Sequence, residues 1–279
     1  MNNINIFIIT SVFFVTLIIP CLSGAQAIPL NNLELKVEPI HQKDNKEVLT
    51  PKTIRIVQTK YALRLFWYTL VKQEEEGAYY KTFKVKASKG IVETDKLEGK
   101  RAFFMPTMWG GGYIRTETVL PLWLDPVFLD LKGSKQLPFN VGFLNINKYL
   151  LKATPNDVFE KLNYFQNLYN QYVVGFELRE DVRLSNTNEK ALKKFIKDFF
   201  VVGVIAQSKA RLRANNILES YPVLIIGNRY FNLTVINDPL NPLVIQFQLF
   251  DDKVPSLFEE QFKELKEMFE FRVTEVSYK

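Results

Sequence analysis

Apolar and polar positions alternate with a period of two along much of this chain. From Thr82 to Ala87, Phe83, Val85 and Ala87 fall on one side and Thr82, Lys84 and Lys86 on the other, the pattern of a strand with one buried face. Tyr113 to Leu120 alternates in the same way, with Arg115 and Glu117 on its polar side. Arg64 to Val71 is apolar in both phases, which predicts a central strand covered on both sides. Pro138 to Leu144 reads as a further short strand.

The period changes to that of a helix in three places. Thr154-Pro155 is a cap followed by Pro at the first helical position, and Val158, Phe159, Leu162, Phe165 and Tyr169 then recur on one stripe. Asn186, with Glu189 three residues later, opens a second stripe of Leu192, Phe195, Ile196 and Phe199. Ser256 to Glu259 is a capping box, and Phe258, Phe262, Leu265 and Phe269 line one face of a third helix. Such stripes are core-forming. The C-terminal half also carries a hairpin signal: Tyr221–Ile226 and Arg229–Ile236 flank Gly227-Asn228, two residues that tolerate positive φ. After the turn at Asn237 to Pro242, Leu243 to Phe250 returns as a strand, and Phe271 to Tyr278 is a last one. Consecutive strands with short turns imply antiparallel pairing. The predicted class is therefore α+β, a curved antiparallel meander with about three packed amphipathic helices.

Two segments carry a resemblance. The run from Asn237 through Asp238-Pro239-Leu240-Asn241-Pro242 to Ile245, and Pro121-Leu122-Trp123-Leu124-Asp125 followed by Leu131-Lys132-Gly133, resemble segments of certain uncharacterised bacterial secreted or envelope β-domains. The resemblance implies an envelope location and a β-rich fold. It transfers no catalytic residue.

The N-terminus adds an address. Residues 1–27 hold no charged side chain; an apolar run from Ile6 to Ile19 is followed by Pro20 and by Ala25-Gln26-Ala27. That is the order of a signal peptide cleaved after Ala27, leaving a secreted or periplasmic protein with no transmembrane span. Residues 28–52 read as a polar lead-in, and 53–279 as one β-rich globular domain. Cleavage removes Cys21, the only cysteine of the 279 residues, so the mature chain has no disulfide and no thiolate site.

Composition then narrows the chemistry. A chain with 47% hydrophobic residues and a net charge of +6 is globular and mildly basic, and export together with so small an excess disfavours nucleic acid as a partner. The single histidine, His41, lies in the lead-in, which leaves no base for Ser-His-Asp or Cys-His catalysis and no His/Cys zinc site. Gly110-Gly111-Gly112 lacks the Lys-Ser/Thr of a phosphate-binding loop. No cofactor, metal or catalytic residue is assigned. Asp251-Asp252 could ligate calcium or form a solvated turn.

Three features could bind a ligand. Lys209, Arg211 and Arg213 share one face of a strand, as do Lys84 and Lys86 on another; if these faces adjoin they form a cationic patch for an anionic envelope polymer. In Trp109-Gly110-Gly111-Gly112-Tyr113 the glycines permit close backbone approach, and Trp109 and Tyr113 would rim a site with Arg115 as a charged contact. The alternative for these aromatics is burial in the core. The functional expectation is a non-catalytic envelope protein, binding or structural, towards a glycan, lipid or protein partner. The alternative is a glycosidase-like hydrolase using two carboxylates.

Overall fold

The computed structural model describes residues 27–40, 51–75, 82–95, 103–104, 106, 109, 111–116, 120–131, 135–139, 194–195, 198–254, 259, 262–263, 266 and 269–279. Their strands are β1 (Leu33–Pro39), β2 (Lys52–Gln58), β3 (Leu63–Glu75), β4 (Thr82–Thr94), β5 (Phe103–Phe104), β6 (Gly112–Thr116), β7 (Leu120–Pro121), β8 (Leu137–Pro138), β9 (Val201–Ala214), β10 (Ile217–Gly227), β11 (Phe231–Ile236), β12 (Val244–Leu249) and β13 (Phe271–Ser277). Eleven of them form one sheet in the order β6-β4-β3-β2-β1-β13-β12-β11-β10-β9-β8, while β5 and β7 pair separately. A further pairing of β13 with β9 closes β9 through β13 into a ring. From that ring β1, β2, β3, β4 and β6 extend as a wing.

The predicted α+β class is corrected by this architecture. Of the described residues 60% are strand and 9% helical, so the protein is nearly all β. No packed amphipathic helix is found among the described residues: the helical element with described bounds is a 3-10 turn, Pro126–Phe128, capped by Asp125 Oδ1, which accepts from the Val127 N–H at 3.0 Å, and helical backbone occurs besides only at separate positions such as 194–195, 198–199 and 262–263. The first predicted helix lies outside the described residues. In the other two stripes Phe195, Phe199, Phe262 and Phe269 are buried as their spacing implied. They join an aromatic cluster in which Phe195 meets Tyr230 edge-on at 4.8 Å and Phe199 meets Phe262 at 5.9 Å. Periodicity reported burial correctly and overstated the helix content. The sheet is also mixed, because β4–β6 and β9–β13 are parallel. Parallel neighbours are distant in sequence and no turn residue announces them.

Local details depart from expectation for steric reasons. The segment read as a lead-in supplies β1, whose Leu33, Leu35 and Val37 are buried between β2 and β13. Neither Gly227 nor Asn228 has positive φ. Gly227 is needed for space, since a Cβ there would lie 2.1 Å from the Phe231 carbonyl oxygen. Asn228 instead ties the β10–β11 loop down, its Nδ2 donating to the carbonyls of Phe199 at 2.8 Å and Val201 at 3.1 Å. The two-residue turn with both φ positive is Asn215-Asn216, at +47° and +68°, joining β9 to β10.

The two segments that carried the resemblance lie against each other. Trp123 bridges Leu243, Leu124 N–H donates to the Pro242 carbonyl at 3.0 Å, and Val244 N–H donates to the Leu122 carbonyl at 2.8 Å. Buried Asn241 completes the junction: its Oδ1 accepts from Trp123 Nε1 and its Nδ2 donates to the Ile28 carbonyl, both at 2.8 Å. A short motif in each half of the chain thus fastens the N-terminal segment to the ring.

Candidate functional site

The wing has a buried face and an outer face, and the register assigns every residue to one of them. Inward on β3 are Leu63, Leu65, Trp67 and Thr69; outward are Arg64, Phe66 and Tyr68. The expectation that this strand is covered on both sides fails, because Phe66 is 40% and Tyr68 54% exposed. Cross-strand pairing then builds rows on the outer face. One row runs Ser277–Glu34–Arg55–Phe66–Ile91–Tyr113. A second runs Arg213–Glu275–Lys36–Thr53–Tyr68–Lys89. A third is Val57–Arg64–Glu93–Arg115. With strands ~4.8 Å apart, Arg55 and Tyr113 stand about 14 Å from one another across three strand steps.

Aromatic rings and cations are interleaved on this surface. Tyr113, paired with Ile91 in the parallel β4–β6 ladder, is 60% exposed. Partial burial raises its hydroxyl pKa above the ordinary tyrosine value, and the neighbouring Glu93 carboxylate adds to the effect. Glu93 is itself held by Arg64, Nε to Oε2 at 2.6 Å. Lys36 is held by Glu275, which raises the lysine's pKa through a hydrogen bond and charge attraction. Arg213 reaches the same carboxylate at 3.9 Å. Arg55, Lys89 and Arg115 form no ion pair among the described residues. Beside Arg55 the face opens into a hollow of about 690 Å³ lined by Asn32, Glu34, Arg55, Asn215, Asn216, Ser277, Tyr278 and Lys279.

The residues singled out in the sequence are only partly brought together. Tyr113, for which the sequence left surface and core open, and Arg115 are exposed on the same outer face. Trp109 is 3% exposed and belongs to the core, so it rims no surface. Lys209, Arg211 and Arg213 are exposed on one face of β9, and Arg213 joins the wing's second row through Glu275. Lys84 and Lys86 do not adjoin them: β3, β2, β1 and β13 intervene, and the β3–β4 register puts both lysines on the face opposite Lys89. Their strand leaves the core at that end, and Val85, expected to be buried, is 55% exposed. Asp251 and Asp252 are engaged by Lys266 at 3.2 Å and Lys253 at 2.6 Å. Among the described residues no cluster of three or more His, Cys, Asp or Glu side chains could hold a metal ion. No helix among them is long and apolar enough to cross a membrane.

Phe66, Tyr68 and Arg55 were not singled out by the pattern. An apolar run reports two possible faces, and which of them meets solvent depends on whether a second layer covers the sheet. Lys52 was missed as well. It points inward from the start of β2, and its ammonium is enclosed between the rings of Trp67 and Trp109, 4.2 and 5.8 Å from their centroids. Comparison with protein-family models, with curated proteins and with solved structures found no match to the chain.

Proposed function

We propose that this is an exported, non-catalytic binding protein whose outer wing face takes an anionic glycan. The observation that carries the reading is the interleaving of three exposed rings, Phe66, Tyr68 and Tyr113, with Arg55, Lys89 and Arg115, cations that form no ion pair among the described residues. Flat rings on a rigid sheet match the apolar faces of sugar rings. Three cations with no ion pair among the described residues favour a polymer with carboxylate, phosphate or sulfate groups. Secretion, with cleavage after Ala27, would bring the face to such polymers.

The buried carboxylates among the described residues support a non-catalytic role, because each has a structural task. Glu93 holds Arg64, Asp125 caps the 3-10 turn, and Glu270 accepts from the Leu249 N–H at 2.7 Å. On the outer face Glu93, held by Arg64, stands three strand steps or about 14 Å along the sheet from Glu34, and Glu275, one strand from Glu34, is engaged by Lys36 and Arg213. A hydrolytic pair needs two carboxyl groups roughly 5 to 10 Å apart and available to one bond.

The test is calorimetric titration with alginate as the anionic probe and dextran as the neutral one. Alginate is expected to bind, and the triple variant Phe66→Ala/Tyr68→Ala/Tyr113→Ala to lose about tenfold or more in affinity, ~1.4 kcal/mol, with little change in melting. Arg55→Ala/Arg115→Ala should flatten the salt dependence. Equal binding of dextran would remove the charge argument. Unaltered alginate affinity in the triple variant would remove the site.

A further inference from the structure

β9 is paired with β10 along one edge, through a register that runs from Gly203 to Ala214. Among the described residues its other edge pairs with β8 only at Val201 and Val202, and with β13 only at Arg213 and Ala214. Residues 203–212 therefore present a row of backbone N–H and C=O groups that the sheet does not use. A bulge interrupts this row near β8: Ile225 pairs with Ala206 and Ile226 with Val204, which leaves Ile205 unpaired and 52% exposed. The regular stretch is 206–212. Gln207, Ser208 and Lys209 are exposed in succession, so solvent reaches both faces of the strand there. Further along, Ala210 packs against the core and Leu212 is part of it, while Lys209 and Arg211 stand outward. Their neighbours on β10, Pro222 and Ser220, carry no charge. Arg213 is engaged by Glu275 at 3.9 Å, whereas Lys209 and Arg211 form no ion pair among the described residues.

We propose that residues 206–212 of β9 receive an extended acidic segment of a partner protein as an added strand, its main chain bonding to the free edge and its carboxylates lying against Lys209 and Arg211. The repeat of donors and acceptors along an open edge is matched by another extended main chain, which is recognition by strand addition. The two cations are spaced by the side-chain period of such a strand, so a carboxylate at every second residue meets them on one face. On the other face the incoming side chains lie beside Ser208 and Ala210, whose small size leaves room for threonine or valine. The same charges disfavour a second copy of this chain. In an antiparallel pair centred on Ala210, Lys209 of each copy stands opposite Arg211 of the other, and like charges across a ladder destabilise it. The cations thus guard the edge against self-association and admit an acidic strand. The edge belongs to the ring, and the inference does not rest on the glycan reading of the wing.

The experiment is fluorescence anisotropy with a labelled peptide of about eight residues that alternates glutamate with threonine or valine. Saturable binding is expected, weakened about tenfold or more in Lys209→Ala/Arg211→Ala, with melting unchanged because both side chains are exposed. Lys209→Glu/Arg211→Glu should exchange the preference, losing the glutamate peptide and capturing one with lysine in its place. N-methylation of every second peptide amide should abolish binding in one phase and spare it in the other, because only one set of amides faces β9. Phe66→Ala/Tyr68→Ala/Tyr113→Ala should bind the peptide as the parent does, which separates this edge from the wing. Absence of saturable binding, or undiminished affinity in both methylated phases, would overturn the proposal. So would displacement of the peptide by short alginate oligomers, which would make the stripe a general polyanion site. A dimer in sedimentation that excludes the peptide would give the edge to a second copy and overturn it equally.

Discussion

Removing the side chain of Asn241 tests the junction that fastens the N-terminal segment to the ring. Asn241→Ala deletes one acceptor and one donor and strands their partners, Trp123 Nε1 and the Ile28 carbonyl, each 2.8 Å away in a buried site. A buried polar group left without a partner costs ~1–3 kcal/mol, so the two together cost about 2–6 kcal/mol. Against the ~5–15 kcal/mol stability of an ordinary domain this is a large fraction. At ~2–4 °C per kcal/mol for a chain of this size, the melting temperature should fall by at least about 4 °C and by up to about 24 °C. Urea unfolding followed by tryptophan emission reads the loss. Trp123→Phe supplies the control: it removes the indole donor, so in the double variant the coupling attributable to Trp123–Asn241 disappears and the two losses do not add. A loss below about 1 kcal/mol for Asn241→Ala, or full additivity with Trp123→Phe, would show that water replaces the asparagine and that the junction is not what holds the motifs together.

Other expectations follow from single features. Gly227→Ala should destabilise by about 2 kcal/mol or more, because its Cβ would overlap the Phe231 carbonyl oxygen; a denaturation midpoint unchanged from the parent would mean that the loop shifts freely. Tyr68→Ala and Phe66→Ala, both on the solvent side, should each change stability by less than about 1 kcal/mol, and a core-sized loss would show that a further layer covers that face. Stability should rise with pH between about 7 and 9, at up to ~1.4 kcal/mol per pH unit less a discount for partial exposure. In that window the unfolded chain keeps a proton on Lys52 that the folded chain, with this amine at about 7, has released. Urea midpoints at the two ends of the window should converge in Lys52→Met, and a slope that survives the substitution would assign it to other groups.

Much of this protein is legible one segment at a time. The strand character of Tyr221 to Ile226 and Phe231 to Ile236 is a property of neighbouring residues, and a strand needs little more than that to be recognised, whereas Leu33 to Val37 lies in a segment that reads as a polar lead-in. The aromatic stripes at Phe195/Phe199 and Phe262/Phe269 likewise declared their burial, and Arg115 its place on the polar side of its strand, whereas the sequence left Tyr113 open between core and surface. What the tertiary structure alone decided is which segments meet. The closure of β13 on β9, the parallel β4–β6 pair and the contact of Trp123 with Leu243 and Asn241 join residues far apart in the chain, and no local pattern encodes a partner at that separation. The same holds for the site. Phe66 and Tyr68 are apolar in sequence and exposed because no described element packs over their side of the wing. Trp109 sits in a glycine-rich loop and is buried because Lys52 and Trp67 receive it. Lys84 and Lys86 share a pattern with Lys209, Arg211 and Arg213, yet four strands and a change of face separate them. Which face of a strand meets solvent is a property of the layer beside it, and that layer is assembled from the rest of the chain.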